Sequence, residues 1–314
     1  MAPAVTRRRF LTATAGALAA PALASGQKGG QTMALDAVQL YWFSQLAGEE
    51  GKSMDETRPQ AFATIAEAGF AAVEDNLSLV ATDESATGLA DMLKANHLKL
   101  AGLYSGGALH TDGASAAVNG IVALADRAKE LGCPGLSVNP DPIGREKTNA
   151  ELATQAAALD DLGAALAERR MFLGIHTHSP EMSHNAREFR CNLDHTDPAK
   201  VGLCADFHWI YRGGADPYAI TERYAGRIVT THLRNSLQAV WCECFCRGDL
   251  DYGRIEESLL AVRYRGPLVI EIALEPRTPR TRGPLENLRA SREYLAQCLG
   301  RVWSGKSYTR DYNP

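Results

Sequence analysis

Clustered positive charge is scarce in this sequence. Beyond the first ten residues no Lys- or Arg-rich run occurs, and 33 basic residues stand against 37 acidic ones, for a formal charge of −4 over 314 residues. Proteins that bind nucleic acids gain most of their affinity by neutralising phosphates with Lys and Arg. The composition therefore argues against a nucleic-acid partner.

Several short motifs are absent as well. No G-x-G-x-x-G follows the first predicted strand and no G-x-x-x-x-G-K-[ST] occurs, so nothing indicates a nucleotide site. The seven cysteines contain no C-x-x-C pair and no zinc-ribbon spacing. Cys242, Cys244 and Cys246 share one loop. We interpret them as free thiols or as the source of one disulfide to a distant cysteine, and a thiolate metal site is the alternative.

The long apolar run at the N-terminus is typical of an export signal. Three arginines at 7–9 precede an apolar stretch at 10–23, and Ala22-Leu-Ala24 forms a cleavage site. The stretch is too short to cross a bilayer as a helix, so no stable membrane insertion is expected. The arginines followed by Phe-Leu resemble the twin-arginine signal, with a Sec signal as the alternative. We predict a signal peptide at 1–24, and its removal would move the formal charge from −4 to −7 because three arginines and no acid are lost.

The mature chain is accordingly expected in the periplasm, with a flexible linker at 25–34. From residue 35 to 299, short apolar strand patterns alternate with amphipathic helix patterns in eight successive units. Helical crossovers between short strands give a parallel sheet, and eight units of this size suit a closed barrel. We predict an α/β fold, a single (β/α)8 TIM barrel at 35–299 with a polar tail at 300–314. An open, doubly wound sheet is the alternative.

Polar side chains collect where the predicted strands end, and a parallel barrel places its active site at those ends. His176 and His178 close the fifth strand on one face, since side chains alternate along a strand, and Glu181 follows three residues later. Other strand ends supply Glu74, Asp206, His208, His232 and Glu271. A mixed set of Asp, Glu and His suits a divalent metal such as Mn, Mg, Co, Fe or Zn.

The order of these strand ends resembles the xylose isomerase-like barrel superfamily, which includes sugar phosphate isomerases and epimerases and the AP endonucleases of family 2. The resemblance covers roughly residues 35 to 299. The segments that carry it are Val201-Gly-Leu-Cys-Ala-Asp206, Asp216-Pro217, Gly226-Arg-Ile-Val-Thr-Thr-His232, Gly248-Asp-Leu-Asp-Tyr252 and Gly266-Pro-Leu-Val-Ile-Glu271.

The resemblance implies a metal site made by Asp206, His232, Glu271 and one group after the fifth strand. Glu181 is predicted as that fourth ligand, and His176 is the alternative. Many ketose epimerases of this superfamily have a Glu where this chain has His176, and several have a His where it has Trp209. The substrate contacts of those epimerases are therefore not carried over to this chain.

The chemistry implied is the removal of a proton next to a carbonyl, which yields an ene-diolate that a divalent cation stabilises. Glu181 and Glu271 are predicted to take and return the proton, and if one of them is only a ligand, His176 or His178 is the base instead. The expected function is a divalent-metal-dependent sugar isomerase or epimerase. If a leaving group lies β to the carbonyl, the same intermediate gives a lyase, such as a dehydratase or a keto-glycoside-cleaving enzyme. A non-catalytic sugar-binding barrel is the second alternative.

Further residues are predicted to contact a small carbohydrate substrate. Arg234 follows the seventh strand and suits a hydroxyl, carboxylate or phosphate. Two tryptophans near strand ends would form an apolar wall for a sugar ring. The predicted substrate-binding residues are His178, His208, Trp209, Arg234, Glu74, Trp241 and Glu243. Assembly into a homo-oligomer is left open.

Overall fold

The computed structural model describes residues 34–305, and the predicted signal peptide, nearly all of the linker and most of the tail lie outside them. Eight parallel strands close into a barrel in the order β1-β10-β7-β6-β5-β4-β3-β2. These strands are β1 Asp36–Gln39, β2 Ala72–Asn76, β3 Lys99–Gly107, β4 Gly135–Pro140, β5 Phe172–Ile175, β6 Val201–Asp206, β7 Ile228–Leu233 and β10 Leu268–Ile270. A hairpin of β8 Ser236–Leu237 and β9 Val240–Trp241 follows β7. The predicted single (β/α)8 barrel is confirmed, and the open-sheet alternative is wrong.

Helices cover the outside of the barrel. They are α1 Tyr41–Glu49, α2 Met54–Glu67, α3 Asp83–Ala95, α4 Ala114–Glu130, α5 Asn149–Glu168, α6 Ser179–Asp194, α7 Phe207–Arg212, α8 Pro217–Tyr224, α9 Tyr252–Ala261, α10 Pro284–Cys298 and α11 Gly300–Ser304. Among the described residues no helix is both long enough and apolar enough to cross a membrane.

Strand alternation decides which side chains enter the barrel. Ala37, Ala72, Ala101 and Val269 form a small apolar cluster of their own, apart from the main core. Glu74 lies two residues after Ala72 in β2, and Glu271 lies two residues after Val269, just past the end of β10. Both carboxylates are buried. Since side chains alternate with period two, each of these carboxylates is on the same face as the apolar residue two positions earlier. The interior is thus apolar at one level and polar towards the carboxyl ends of the strands.

Two local predictions differ from the structure. The first predicted strand, 35–43, ends at Gln39, and helix α1 begins at Tyr41. The apolar run is continuous across this boundary, but Trp42, Phe43 and Ala47 are buried against the core from a helix. Short apolar runs do not distinguish the two structures by periodicity alone.

Helix α6 was not predicted, and it is irregular. Ser183 leaves the helical region, and the next three residues, His184, Asn185 and Ala186, have φ values of 52°, 60° and 57°. Non-glycine residues rarely occupy this left-handed region. The break at Ser183 follows soon after the strand end that carries His176 and His178, and it limits the first helical segment of α6 to about one turn.

Candidate metal centre

Four side chains from four neighbouring strands converge at the carboxyl end of the barrel. They are His176 after β5, Asp206 at the end of β6, His232 in β7 and Glu271 after β10, and one ligand atom from each lies within 4.8 Å of the others. All four residues are buried. Two imidazoles and two carboxylates form a donor set suited to zinc or a first-row transition metal rather than to Mg²⁺, which prefers oxygen ligands.

Asp206 is held in place by the helix that follows it. Its Oδ1 accepts hydrogen bonds from the backbone N–H groups of His208 at 3.0 Å and Trp209 at 2.9 Å, which caps helix α7. This leaves Oδ2 to face the cluster, 3.6 Å from Nε2 of His176. Burial opposes ionisation, but Arg234 and then His176 outweigh it and hold the pKa of Asp206 well below its usual value.

Arg234 places a positive charge inside the centre. Its Nη2 donates to Oδ2 of Asp206 and, at 2.8 Å, to Oε2 of Glu271. Burial opposes ionisation of Glu271, yet Arg234 and then His232 lower the pKa of this carboxyl. Both carboxylates are therefore kept charged, as metal ligands must be. The Nε of Arg234 is buried and has no hydrogen-bond partner among the described residues.

His232 is oriented by a carboxylate from β2, a strand that is separated from β7 by β1 and β10. Its Nε2 lies 2.8 Å from Oε2 of Glu74, and its Nδ1 lies 2.9 Å from Oε2 of Glu271. A metal-binding histidine commonly donates its other ring N–H to a carboxylate, which fixes the tautomer. Glu74 was predicted to contact substrate. The structure places it instead against His232, almost fully buried.

Unpartnered atoms in the centre fit a bound cation. Both ring nitrogens of His176 are buried and find no hydrogen-bond partner within residues 34–305, and Nδ1 of His232 is close to Glu271 without hydrogen-bond geometry. Buried polar atoms that lack partners cost free energy, about 1–3 kcal/mol each. A cation bound by one nitrogen of each ring would relieve part of that cost, so the residues present fit the implied metal.

Glu181, predicted as the fourth ligand and as a proton carrier, lies elsewhere. It is the third residue of α6, and its Oε2 accepts a hydrogen bond from the backbone N–H of His178 at 2.7 Å. Its Oε1 is buried and has no hydrogen-bond partner in the described part of the chain, and burial raises the pKa of this carboxyl. The structure thus brings His176, the alternative ligand, to the other three residues, while Glu181 closes the start of a helix.

An aromatic wall adjoins the centre on the side of α7. The His178 ring packs edge-on against His176 at 4.6 Å and against Trp209 at 5.2 Å between centroids. Trp209 and Trp241 pack edge to face at 5.4 Å, and the Arg234 guanidinium lies 5.2 Å and 5.0 Å from their ring centroids. The two tryptophans that were predicted to form a wall thus pack together beside the His/Asp/Glu cluster, and their contact with a sugar stays a prediction.

Two further predicted substrate contacts, His178 and Glu243, lie in different surroundings. Burial, followed by the neighbouring His176, lowers the pKa of His178 to about 4, so its half-buried imidazole is uncharged at neutral pH. Glu243 instead binds the chain after Pro279, since its carboxylate accepts hydrogen bonds from the N–H of Thr281 at 2.7 Å and of Arg282 at 3.2 Å.

Tyr104 is a site residue that the sequence reasoning missed. It belongs to β3, and its ring packs edge-on against His176 at 5.5 Å. Burial, and next the charge of Glu271, raises the pKa of its hydroxyl, so Tyr104 stays protonated and can donate a hydrogen bond. Its position at the end of the third predicted strand was the sequence feature that could have identified it as a site residue.

His208 is expected to make the barrel less stable in acid. Burial, and next the nearby Arg234, lowers the pKa of its imidazole from 6.5 to about 4, and its Nδ1 accepts a hydrogen bond from Nε1 of Trp241 at 3.1 Å. Between these pH values the unfolded chain binds a proton that the folded protein does not. Stability is therefore lost as the pH falls from 6.5 towards 4, by up to about 3 kcal/mol.

Urea unfolding of chelator-treated protein across this pH range measures the effect. His208→Asn keeps an acceptor for Trp241 but cannot be protonated, so it should make the acid branch less steep and leave the part that comes from His178, whose pKa is lowered in the same way. His97 is exposed and has a φ of 54°, a conformation that asparagine tolerates, so His97→Asn is the matched control and should leave the branch unchanged. An equally steep acid loss in His208→Asn would contradict this role.

A closed parallel barrel with a buried His/Asp/Glu cluster at the carboxyl ends of its strands has the architecture of a TIM-barrel enzyme with a metal centre. The chain belongs to the xylose isomerase-like TIM barrel family, whose family model matches residues 62–298. The resemblance inferred from the strand ends is thereby confirmed.

Curated relatives with similar sequences are inosose dehydratases. The protein of that name from Clostridium tetani (strain Massachusetts / E88) is 27% identical over 177 residues, which cover 50% of this chain and 58% of the relative. The one from Geobacillus thermodenitrificans (strain NG80-2) is 26% identical over 160 residues, covering 45% and 53%. The chain thus spans about half the length of the curated relatives it matches.

Solved structures with the same fold include epimerases. A sugar phosphate isomerase/epimerase from Parabacteroides distasonis ATCC 8503 has a TM-score of 0.66 at 16% identity, covering 90% of this chain and 99% of that one. D-allulose 3-epimerase from Methylomonas sp., in complex with D-allulose, has a TM-score of 0.65 at 14% identity, covering 85% and 98%. At such identities the likeness shows the fold alone.

Proposed function

We propose that this chain is a divalent-metal-dependent lyase that removes water from a small keto-sugar or keto-polyol. The observation that carries the proposal is the distribution of proton-transfer groups around the centre. Asp206 and Glu271 are both held ionised by Arg234, and Glu181 caps a helix. The imidazole of His178 is left as the accessible, uncharged base.

One proton-transfer group suits dehydration. His178 would take the proton next to the substrate carbonyl and then return it to the hydroxyl group on the adjacent carbon, which leaves as water. A bound divalent cation would supply the positive charge that stabilises the developing enolate. Arg234 has an unpartnered Nε, and Tyr104 keeps its hydroxyl proton, so both can donate to substrate oxygens. The tryptophan pair would shield the reacting carbons from water.

The similarity to inosose dehydratases supports the same reaction class, although it covers about half of those proteins. A sugar isomerase or epimerase is the second candidate. It is favoured by the barrel order, in which β5 and β10 are separated by β6 and β7, so His178 and Glu271 approach the centre from different sides. Two groups so placed could take a proton from one face and return it to the other.

Turnover in deuterated water separates the candidates. Purified protein loaded with Mn²⁺ or Zn²⁺ would be mixed with inososes and ketohexoses, and products would be followed by mass spectrometry. The lyase is expected to form a product lighter by one water. A product of unchanged composition with deuterium next to the carbonyl would instead establish the isomerase. If no carbonyl substrate gives a product or exchanges deuterium, both proposals are contradicted. His178→Gln should retain metal and lose turnover.

Glu74 is expected to set the metal affinity through His232. Glu74→Leu removes the acceptor for Nε2 of His232 and should weaken metal binding about 10–100-fold, the usual effect of losing a partner that orients a metal-binding histidine. Glu74→Gln keeps an acceptor oxygen and should lose less. Titration against a competing chelator measures both.

The neighbouring Asp75 provides the matched control for Glu74. It points to the other face of β2 and pairs with Arg58 at 2.9 Å. Asp75→Asn should lower stability without changing metal affinity. Wild-type affinity in Glu74→Leu would show that His232 needs no orienting carboxylate.

A further inference from the structure

The four residues of the metal centre come from one half of the barrel. Their strands, β5, β6, β7 and β10, are consecutive around it, and β4, β3, β2 and β1 complete the circle. A substrate bound at the carboxyl ends of the strands therefore has these other four strands as its opposite wall. The inward-facing side chains at their ends are placed to contact it.

Asn139 is such a side chain, at the end of β4. The N–H of His176 donates to the carbonyl of Val138 at 2.9 Å, which continues the parallel register in which Val138 lies opposite Ile175. Asn139 is therefore opposite His176, and residues opposite each other on neighbouring strands point to the same face. Since His176 points to the centre, Asn139 does as well.

The pairing with β3 supports this orientation. Asn139 lies opposite Gly106, and Ser137 lies opposite Tyr104, whose ring packs edge-on against His176. Because Tyr104 faces the interior, Ser137 does so too, and Asn139 follows two residues later on the same face. Gly106 adds no side chain beside the Asn139 amide.

Backbone hydrogen bonds hold the end of β4 in place. The N–H of Asp141 donates to the carbonyl of Gly107 at 2.9 Å, and Oδ1 of Asp141 accepts from the N–H of Gly107 at 2.9 Å. With the bond from His176 on the other side, β4 is tied to both of its neighbours up to its last residues. A side chain carried by such a rigid element is well placed to bind a ligand in one orientation.

The Asn139 amide has one satisfied group and one unsatisfied group. Its Nδ2 donates to the carbonyl of Pro140 at 3.2 Å, and turning the amide over would set two acceptors against each other. Its Oδ1 is buried and finds no hydrogen-bond partner among the residues that the structure describes, and the residue is 4% exposed. A buried oxygen without a donor is costly, so this atom suits a ligand that brings an O–H group.

We propose that Oδ1 of Asn139 accepts a hydrogen bond from a hydroxyl group of the substrate and so selects polyhydroxylated compounds over simple ketones. The inference rests on the proposed function for the class of ligand, a keto-sugar or keto-polyol. A hydroxyl can donate to the amide oxygen, whereas a carbonyl oxygen cannot. Because Asn139 is opposite His176, the hydroxyl concerned lies close to the carbons held at the centre. Asn139 orients the substrate and takes no part in proton transfer.

Binding of unreactive polyols tests this role without turnover. Two polyols that lack a carbonyl group, myo-inositol and sorbitol, would be titrated by calorimetry into Zn²⁺-loaded wild type and Asn139→Ala, together with their monodeoxy analogues. Asn139→Ala should bind a parent polyol at least about tenfold more weakly, the effect of leaving one buried hydroxyl unpaired. The wild type should lose as much when one particular hydroxyl is removed. That deoxy analogue should bind equally to both proteins, which is the coupling that a direct hydrogen bond requires.

Asn96→Ala is the matched control. The Nδ2 of Asn96 also donates to a backbone carbonyl, that of Met92 at 2.8 Å, but this residue ends the outer helix α3. The variant should bind every polyol like the wild type. Metal content and circular dichroism show whether each variant keeps its fold and its centre. If Asn139→Ala does not fold, Asn139→Val takes its place, because valine suits a strand and offers no acceptor.

Three results would overturn the assignment. They are equal affinity of wild type and Asn139→Ala for the parent polyols, a loss in the variant that is the same for every deoxy analogue, and a metal-loaded wild type that binds neither polyol. The lyase reaction is judged separately. Coupling without turnover of any keto-polyol would uphold the role of Asn139 and contradict the lyase, and turnover without coupling would do the reverse.

Discussion

Glu271→Gln is expected to weaken divalent-metal binding by more than about 100-fold, beyond the range for losing an orienting partner, and to remove measurable turnover. The carboxylate contributes one of the two negative charges in the ligand set, and its Oε2 faces both His232 at 2.9 Å and Arg234 at 2.8 Å. Glutamine keeps the shape but presents a neutral oxygen or an N–H to the cation. Metal content of purified protein and a chelator-competition titration provide the measurement.

Glu275 offers a matched control for Glu271 in the same segment. Its carboxylate pairs with Arg212 at 2.8 Å and accepts a hydrogen bond from the N–H of Trp241 at 2.8 Å, so it supports the aromatic wall without touching the ligands. Glu275→Gln should bind metal like the wild type. If Glu271→Gln also retains its metal, the ligand set must be completed by another residue, and Glu181 would again be a candidate.

The barrel could be predicted from sequence because eight strand and helix periods repeat in order, and parallel strands must end at the same edge. The convergence of Asp206, His232 and Glu271 follows from that rule. The position of Glu181 in the structure could be predicted only from a local sequence pattern. His178-Ser-Pro-Glu181 has a proline in the first turn and a glutamate at the third helical position, which is typical of a helix start. This pattern assigns Glu181 to the first turn of a helix, and it leaves His176 as the residue that joins the centre.

Other features of the site had no such signal. Glu74 reaches His232 across the barrel, from a strand that is not its neighbour, and sequence alone does not give the side-chain length and tilt that decide this contact. The position of Arg234 between two ligands likewise depends on side-chain packing. Each is a tertiary arrangement that no periodic pattern encodes.

Arg234→Gln is expected to destabilise the metal-free barrel by about 3–5 kcal/mol, the usual cost of removing one partner from a buried ion pair. The guanidinium is 4% exposed and touches Asp206 and Glu271 together, so its loss leaves two buried carboxylates close to each other. The pKa values of both carboxyls should rise, because Arg234 is the main influence that lowers them. Thermal and urea unfolding after chelator treatment would measure the loss.

Added metal should rescue this variant more than the wild type, because a cation bound between Asp206 and Glu271 supplies the positive charge that the substitution removes. The difference in midpoint with and without saturating Mn²⁺ or Zn²⁺ is the quantity to compare. Arg212→Gln is the control, since Arg212 also packs on Trp241 but pairs with the partly exposed Glu275, and it should cost less than about 1 kcal/mol. An Arg234→Gln protein whose stability gains no more from metal than the wild type would show that the carboxylates are neutralised in another way. In that case the role of the Arg234 guanidinium is to bind substrate rather than to neutralise the two carboxylates.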